Sequence, residues 1–221
     1  MNVLIWLAST ALERIIGPNL PLVWGAKHNG LIVQGQAWRM VTPVFLHLNG
    51  IHLAFNMYAI YMIGPQIERY FGHARFLSIY LLSGVYGVLC SFILNPNPSA
   101  GASGAIFGLV GTQAVFFYRY RHALGQRGRR LFRSTLTVIA FNLVLTFTTP
   151  NIDIWGHLGG LFAGALLGWN LTPRYQASAT AHGPSLVDLN GPRQWGAAVL
   201  GAIILLVAST WMAITLQAPG M

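Results

Sequence analysis

Charged residues are scarce in this chain: 8% of its 221 residues, 13 of them basic and only 4 acidic. An ordinary soluble domain carries about a quarter, so the composition excludes a free-standing water-soluble globule. Cysteine is nearly absent too. Cys90 stands alone in an apolar run, which rules out an intramolecular disulfide and leaves the redox compartment open. The chain also has no internal repeat, no low-complexity tract, no nucleotide-binding motif and no His-Glu-x-x-His zinc signature.

Apolar sequence is what the chain has in plenty, 54% of its residues. It falls into seven windows, Val3 to Ile16, Val44 to Gly64, Phe76 to Leu94, Ser103 to Tyr118, Ser134 to Thr149, Trp155 to Leu171 and Trp195 to Leu216. Most approach the ~20 residues that a transmembrane helix requires. The fourth to sixth are shorter, as suits helices that neighbours shield from lipid. We therefore expect an all-α membrane protein with a six-helix core over 1–171, a flexible Gly/Pro-punctuated linker over 172–194, and a seventh transmembrane helix with a short tail over 195–221. The first window is short and is interrupted by Glu13 and Arg14, which reads as a first helix lacking its usual beginning. A signal peptide is the competing reading, but the segment has no basic start and no small-residue cleavage site.

Basic residues set the expected orientation. Arg69 and Arg75 follow the second window, six arginines from Arg119 to Arg133 lie between the fourth and fifth, and Arg174 and Arg193 lie between the sixth and seventh. Only Arg14, Lys27 and Arg39 fall on the other side. The positive-inside rule makes the ten-arginine side cytoplasmic, with the amino terminus inside and the carboxyl terminus outside. Lying between two spans, the Arg119 to Arg133 cluster reads as a topology determinant that meets anionic lipid and not as a nucleic-acid patch. The ratio of twelve arginines to one lysine points to a prokaryotic cell membrane.

This topology gathers polar side chains at one depth. His47, His52 and Asn56 are expected in the outer half of the second helix, Ser103 at the outer end of the fourth, and His157 at the outer end of the sixth. His52 and Asn56, four apart, share a helix face. Asn95-Pro96-Asn97-Pro98-Ser99 forms a short outer loop that delivers the chain to Ser103. Gly156, Gly160, Gly164 and Gly168 make a small-residue stripe down the sixth helix, and Gly104, Gly108 and Thr112 make another down the fourth. Such stripes let helices approach closely in lipid, which a bond between the short Ser103 and His157 side chains would need. Buried reactive groups in a membrane usually signal function, and a serine with a histidine suggests proteolysis there.

Taken together, these residues resemble the rhomboid family of intramembrane serine proteases. The matching elements are Trp38-Arg39, His52-x-x-x-Asn56, Glu68-Arg69-x-x-Gly72, Gly101-Ala102-Ser103-Gly104 and His157-x-x-Gly160-x-x-x-Gly164, in the family's order. The resemblance implies a Ser103–His157 dyad, with Ser103 as nucleophile and His157 as general base. It also implies an oxyanion site from the Ser103 amide, His52 and Asn56, and Phe107 packed against His157. Gly101, Gly104, Gly160 and Gly164 are expected to support the site. Trp38 and Arg39 are expected to hold the first outer loop at the membrane interface. Polar side chains would line a water-filled indentation, with 148–154 as the loop over it. Asp153, four before His157, could complete a triad, but a loop or helix-cap role is the expectation.

The implied substrate is a single-span membrane protein whose helix unwinds near its outer end, helped by helix-weakening residues. Expected partners are thus transmembrane substrates and the lipid bilayer, with no nucleic acid and no cofactor. A metal site on the three histidines has no cysteine or acidic partner to complete it. Paired aspartates are excluded because Asp153 and Asp188 fall on opposite sides. A transporter would show repeated halves, and a non-catalytic rhomboid relative would lack the serine or the histidine. Natural substrate and oligomeric state are not set by the sequence.

Overall fold

The computed structural model describes residues 1–17, 20–180 and 183–218. Residues 18–19 of the expected outer loop, 181–182 of the expected linker and 219–221 of the expected tail therefore lie outside the described residues. Helix α1 (Asn2–Ile16) leads into two short helices, α2 (Leu20–Gly25) and α3 (Asn29–Val33), and two 3-10 turns over Ala37–Met40 and Thr42–Phe45. Long helices follow: α4 (Gly50–Phe71), α5 (His73–Leu94), α6 (Ser103–Tyr120), α7 (Gly125–Thr148) and α8 (Ile154–Leu171). Strands β1 (Tyr175–Thr180) and β2 (Gly183–Asp188) then pair antiparallel, and α9 (Pro192–Gln217) closes the chain. Among the described residues the protein is all-α apart from that hairpin. By length and apolarity alone α5, α7 and α9 qualify as membrane spans, whereas α4, α6 and α8 carry the polar and glycine positions.

Local chemistry explains where the helices begin and end, and where the windows mislead. The second helix starts at Gly50, not Val44, because Asn49 caps it by accepting the His52 amide at 2.8 Å. His47 therefore precedes α4 instead of lying within it. Helix α4 runs through Pro65 and ends at Gly72, whose φ of 79° lets a single residue turn the chain into α5. Helix α7 begins at Gly125, nine residues before the expected Ser134, so the arginines from Arg127 onward ride on its first turns. Its 24 residues rise about 36 Å, more than the ~30 Å hydrocarbon core, which leaves room for an exposed basic end.

The core is built on α5, α6 and α8, and glycine is what lets them meet. A Cβ on Gly160 would lie 2.0 Å from the Gly104 carbonyl oxygen, one on Gly164 2.1 Å from that of Gly108, and one on Gly87 2.6 Å from that of Gly156. Thr112 adds a hydrogen bond to the Gly164 carbonyl at 2.7 Å. Small-residue contact of this kind replaces the hydrophobic drive that lipid removes. Around this trio α7 and α9 are lightly held. On α7 only Gly128, Thr135 and Thr146 are buried, and on α9 only Leu206 and Ala213.

The segment expected to be a flexible linker holds the β1–β2 hairpin, and this hairpin is tied down. Arg75, at the start of α5, donates to Asp188 Oδ2 at 2.7 Å and to the Asn190 carbonyl, and lies 5.5 Å from the Trp195 ring centroid. Burial alone would raise the Asp188 pKa. Hydrogen bonds from the Arg174 amide, the Arg75 side chain and the Asn190 amide outweigh it and hold the carboxyl below its usual range.

Two outcomes follow from this packing. Gly160→Ala is expected to lower stability by about 1–3 kcal/mol or more through overpacking. Gly201→Ala in α9, where an added Cβ meets nothing within 4 Å, should be neutral or better. Thermal unfolding in detergent micelles reads both, and equal melting temperatures would contradict the seam. The Asp188 clasp should contribute fully above the unfolded aspartate value of ~3.9 and fade as pH falls through the lower folded value. Limited proteolysis of the 172–194 segment should thus accelerate in acid for the wild type, and at neutral pH for Asp188→Asn.

Candidate active site

Three backbone ties hold Ser103 in place. Lys27 and Ser99 pair as an isolated bridge (2.9 and 3.2 Å), and the Gly101 amide donates to the Pro43 carbonyl at 2.9 Å. The loop before α6 is thereby sewn to the chain between α1 and α4. Gly101 has φ 145°, a conformation side-chain-bearing residues rarely adopt, and a Cβ there would stand 2.7 Å from His52 Cε1. Its bareness lets the His52 ring lie close beside Ser103. Ser103 itself opens α6, where first-turn amides have no intrahelical acceptor.

The seam between α6 and α8 brings His157 to it. Ser103 Oγ and His157 Nε2 are 2.7 Å apart. Phe107, one turn along α6, stacks on the imidazole with centroids 4.4 Å apart and planes at 18°. On the other side of the ring, Nδ1 lies 2.9 Å from Thr146 Oγ1 of α7. His157 is 9% exposed and Thr146 2%, so this line of contacts is largely dry. A cavity of about 40 Å³ adjoins it, lined by Ser99, Gly101, Ser103, Asp153 and His157 among others, which is room for about one water molecule.

Not every expected residue converges in the same way. His52 Nδ1 is buried without a hydrogen-bond partner among the described residues. Asn56 is buried, and its amide donates to the His52 carbonyl at 2.9 Å within its own helix. His47 packs edge-on to His52 with centroids 5.2 Å apart, but it lines a different cavity of about 170 Å³ beside Trp6 and Glu13 of α1. Trp38 Nε1 donates to the Trp24 carbonyl at 3.0 Å. Buried Arg39 donates to the Val23 and Ala26 carbonyls and to Gln36 Oε1, at 2.7 to 2.8 Å. Both residues hold the first loop together, and none of these bonds involves Ser103.

Asp153 is a cap. Its carboxylate accepts from the Gly156 amide at 3.1 Å, from Asn95 Nδ2 at 3.0 Å and from Ser91 Oγ. Lys27, fully buried, donates to the nearby Asn95 carbonyl at 2.6 Å. Sequence reasoning passed over Ser91, Asn95, Lys27 and Thr146. No spacing rule marks them, because each meets its partner from a different part of the chain. Among the described residues no group of three or more His, Cys, Asp or Glu is arranged to hold a metal.

Comparison with known proteins agrees with this architecture. Residues 34–174 match the Rhomboid domain model. The chain is 45% identical over 154 residues to the rhomboid protease GluP of Bacillus subtilis, covering 66% of this chain and 29% of that one. It is 36% identical over 159 residues to RHOMBOID-like protein 9, chloroplastic, of Arabidopsis thaliana (72% of this chain, 36% of the other). It is 38% identical over 168 residues to Rhomboid-like protease 1 of Toxoplasma gondii (72% and 55%). A bundle of membrane helices with a serine and a histidine joined inside it defines an integral membrane protein of one class, and this chain belongs to the rhomboid family. It spans roughly a third to a half of the length of these three relatives.

A substitution separates capping from catalysis at Asp153. Asp153→Asn should lower the melting temperature, since a lost cap costs roughly 0.5–2 kcal/mol, while any activity that depends on Ser103 stays within about tenfold. A fall on the order of 10⁴, as when a triad aspartate becomes asparagine, would make Asp153 a catalytic partner instead.

Proposed function

We propose that this protein is an intramembrane serine endopeptidase that works through a Ser103–His157 dyad. The 2.7 Å contact between Ser103 Oγ and His157 Nε2 carries the reading. A serine hydroxyl becomes a competent nucleophile when an adjacent base takes its proton, and this imidazole is the base in reach. Ser103 Oγ attacks the scissile carbonyl as its proton moves to Nε2. The tetrahedral intermediate collapses, His157 protonates the departing amine, and water then hydrolyses the acyl-enzyme with the same proton shuttle. The Ser103 amide, His52 and Asn56 are the donors for the oxyanion. Asn56 spends one amide hydrogen on the His52 carbonyl and keeps its second for the oxyanion, and the Cε1–Nε2 edge of the His52 ring lies beside Gly101, next to Ser103.

The substrate is a single-span membrane protein cut near the outer face of a prokaryotic cell membrane. Arg69, Arg75, Arg119, Arg127, Arg174 and Arg193 sit at ends of α4 to α9 that fall on one side of an up-and-down bundle, opposite Ser103. With that side cytoplasmic, the amino terminus is inside, the carboxyl terminus outside, and the dyad near the outer surface. No cofactor is needed, since acyl transfer by serine uses none.

The test is cleavage of a model transmembrane substrate by purified protein in proteoliposomes. Ser103→Ala and His157→Ala should abolish cleavage, and His52→Ala or Asn56→Ala should slow it by ~10²- to 10³-fold. Cleavage by Ser103→Ala at the wild-type rate would overturn the assignment.

A further inference from the structure

The dyad has no carboxylate on its histidine, yet His157 Nδ1 is not free. We infer that Thr146 of α7 is the positioning residue for this site, holding His157 in the tautomer whose Nε2 faces Ser103 without a proton. The inference rests on the dyad reading above and extends it by one residue.

The first ground is geometry. Thr146 Oγ1 lies 2.9 Å from Nδ1, and the two residues are 2% and 9% exposed. The groups around the ring are Ser103 and Phe107 from α6, Thr146 from α7, His52 from α4, and Asp153 at the start of its own helix. The Asp153 carboxylate is taken up by Ser91, Asn95 and the Gly156 amide. Thr146 Oγ1 is therefore the group within hydrogen-bond reach of Nδ1 among the described residues, a hydroxyl able to accept the Nδ1 hydrogen or to donate to the Nδ1 lone pair.

The second ground is how α7 treats its threonines. Thr135, Thr137 and Thr148 bond back to the carbonyls of Leu131, Arg133 and Val144, four residues earlier, at 2.8 to 3.1 Å. That is the usual outlet for a hydroxyl inside a helix. Thr146 makes no such bond in the described structure, and its oxygen lies against the imidazole. It does so on a helix whose outer half also carries the exposed side chains of Phe141, Val144, Leu145 and Phe147. One of the three buried positions on α7 is thus given to a hydroxyl aimed at His157.

The chemistry gives that hydroxyl a task. A neutral imidazole carries one N–H. With that hydrogen on Nδ1 and donated to Thr146 Oγ1, the Nε2 lone pair faces the Ser103 hydroxyl and can take its proton. The other tautomer would point Nε2–H at Ser103 and leave no base. During attack the Ser103 O–H bond breaks and an Nε2–H bond forms, while the Nδ1 hydrogen stays with His157, so no proton reaches Thr146. A neutral hydroxyl does the orienting of a triad aspartate without burying a negative charge at membrane depth, where it is costly.

The experiment compares Thr146→Val, which keeps the shape and removes the oxygen, with Thr146→Ser, which keeps the oxygen. Cleavage of the model substrate in proteoliposomes should lose on the order of 10- to 100-fold in kcat for Thr146→Val, the usual consequence of orphaning one buried hydrogen-bonding group. KM should stay near the wild-type value, and Thr146→Ser should recover most of the rate. Nitrogen-15 NMR of the wild-type His157 ring, without substrate, should show the proton on Nδ1, and Thr146→Val should show a tautomer mixture. A wild-type ring protonated on Nε2 overturns the proposal whether or not the variants fold. Equal kcat for Thr146→Val and wild type, with Ser103→Ala inactive, overturns it too. An active Ser103→Ala would instead sink the dyad itself.

Discussion

Everything in the site depends on the backbones of α6 and α8 lying in direct contact. Ser103 and His157 have short side chains, and a 2.7 Å bond between them requires helix axes closer than ordinary side chains permit. Gly160 against Gly104 and Gly164 against Gly108 leave no volume for a methyl group, and lipid supplies no hydrophobic force to compensate for a looser fit. The same seam aligns the ends of the two helices, so that residues at the start of α6 and the start of α8 share a depth. Stability and site geometry are here one constraint.

Much of this was legible beforehand. Windows of apolar residues located seven long helices, and the four-residue glycine spacing pointed to the two helices that touch. What failed to show was set by tertiary contacts or by caps. Val44 looked like helix, but the chain there forms a 3-10 turn, and α4 waits for Asn49 to cap it. That shift moved His47 off the helix and beside α1, with its ring still edge-on to His52. The arginines after Arg127 looked like loop because charge masks helical apolarity, although arginine is a good helix former. The linker's hairpin is fixed by Asp188 meeting Arg75 across 113 residues, a pairing no local pattern encodes. Thr146 was unreadable for a similar reason: three other threonines on the same helix spend their hydroxyls locally.

The outer end of the bundle carries a second polar system beside the dyad. Asp153 gathers Ser91, Asn95 and the Gly156 amide, while buried Lys27 bonds the Asn95 carbonyl. It joins α5, the loop before α6, the first outer loop and the start of α8 at one point. Polar groups buried in this number are tolerable because they satisfy one another. The network fixes the first turn of α8, and with it the height of His157. A carboxylate four residues from a catalytic-looking histidine can thus be structural.

Arg75 raises a matter of timing. Its guanidinium sits in the bundle at the start of α5, and its acidic partner is made 113 residues later. At a synthesis rate of about 5–20 residues per second, that is a wait of roughly 6 to 23 s. During this interval α6, α7 and α8 are all produced, so the nascent protein carries an unneutralised cation at the edge of a nearly finished bundle. Only when Asp188 and Trp195 have been made can the guanidinium acquire the carboxylate and the indole that flank it in the finished fold.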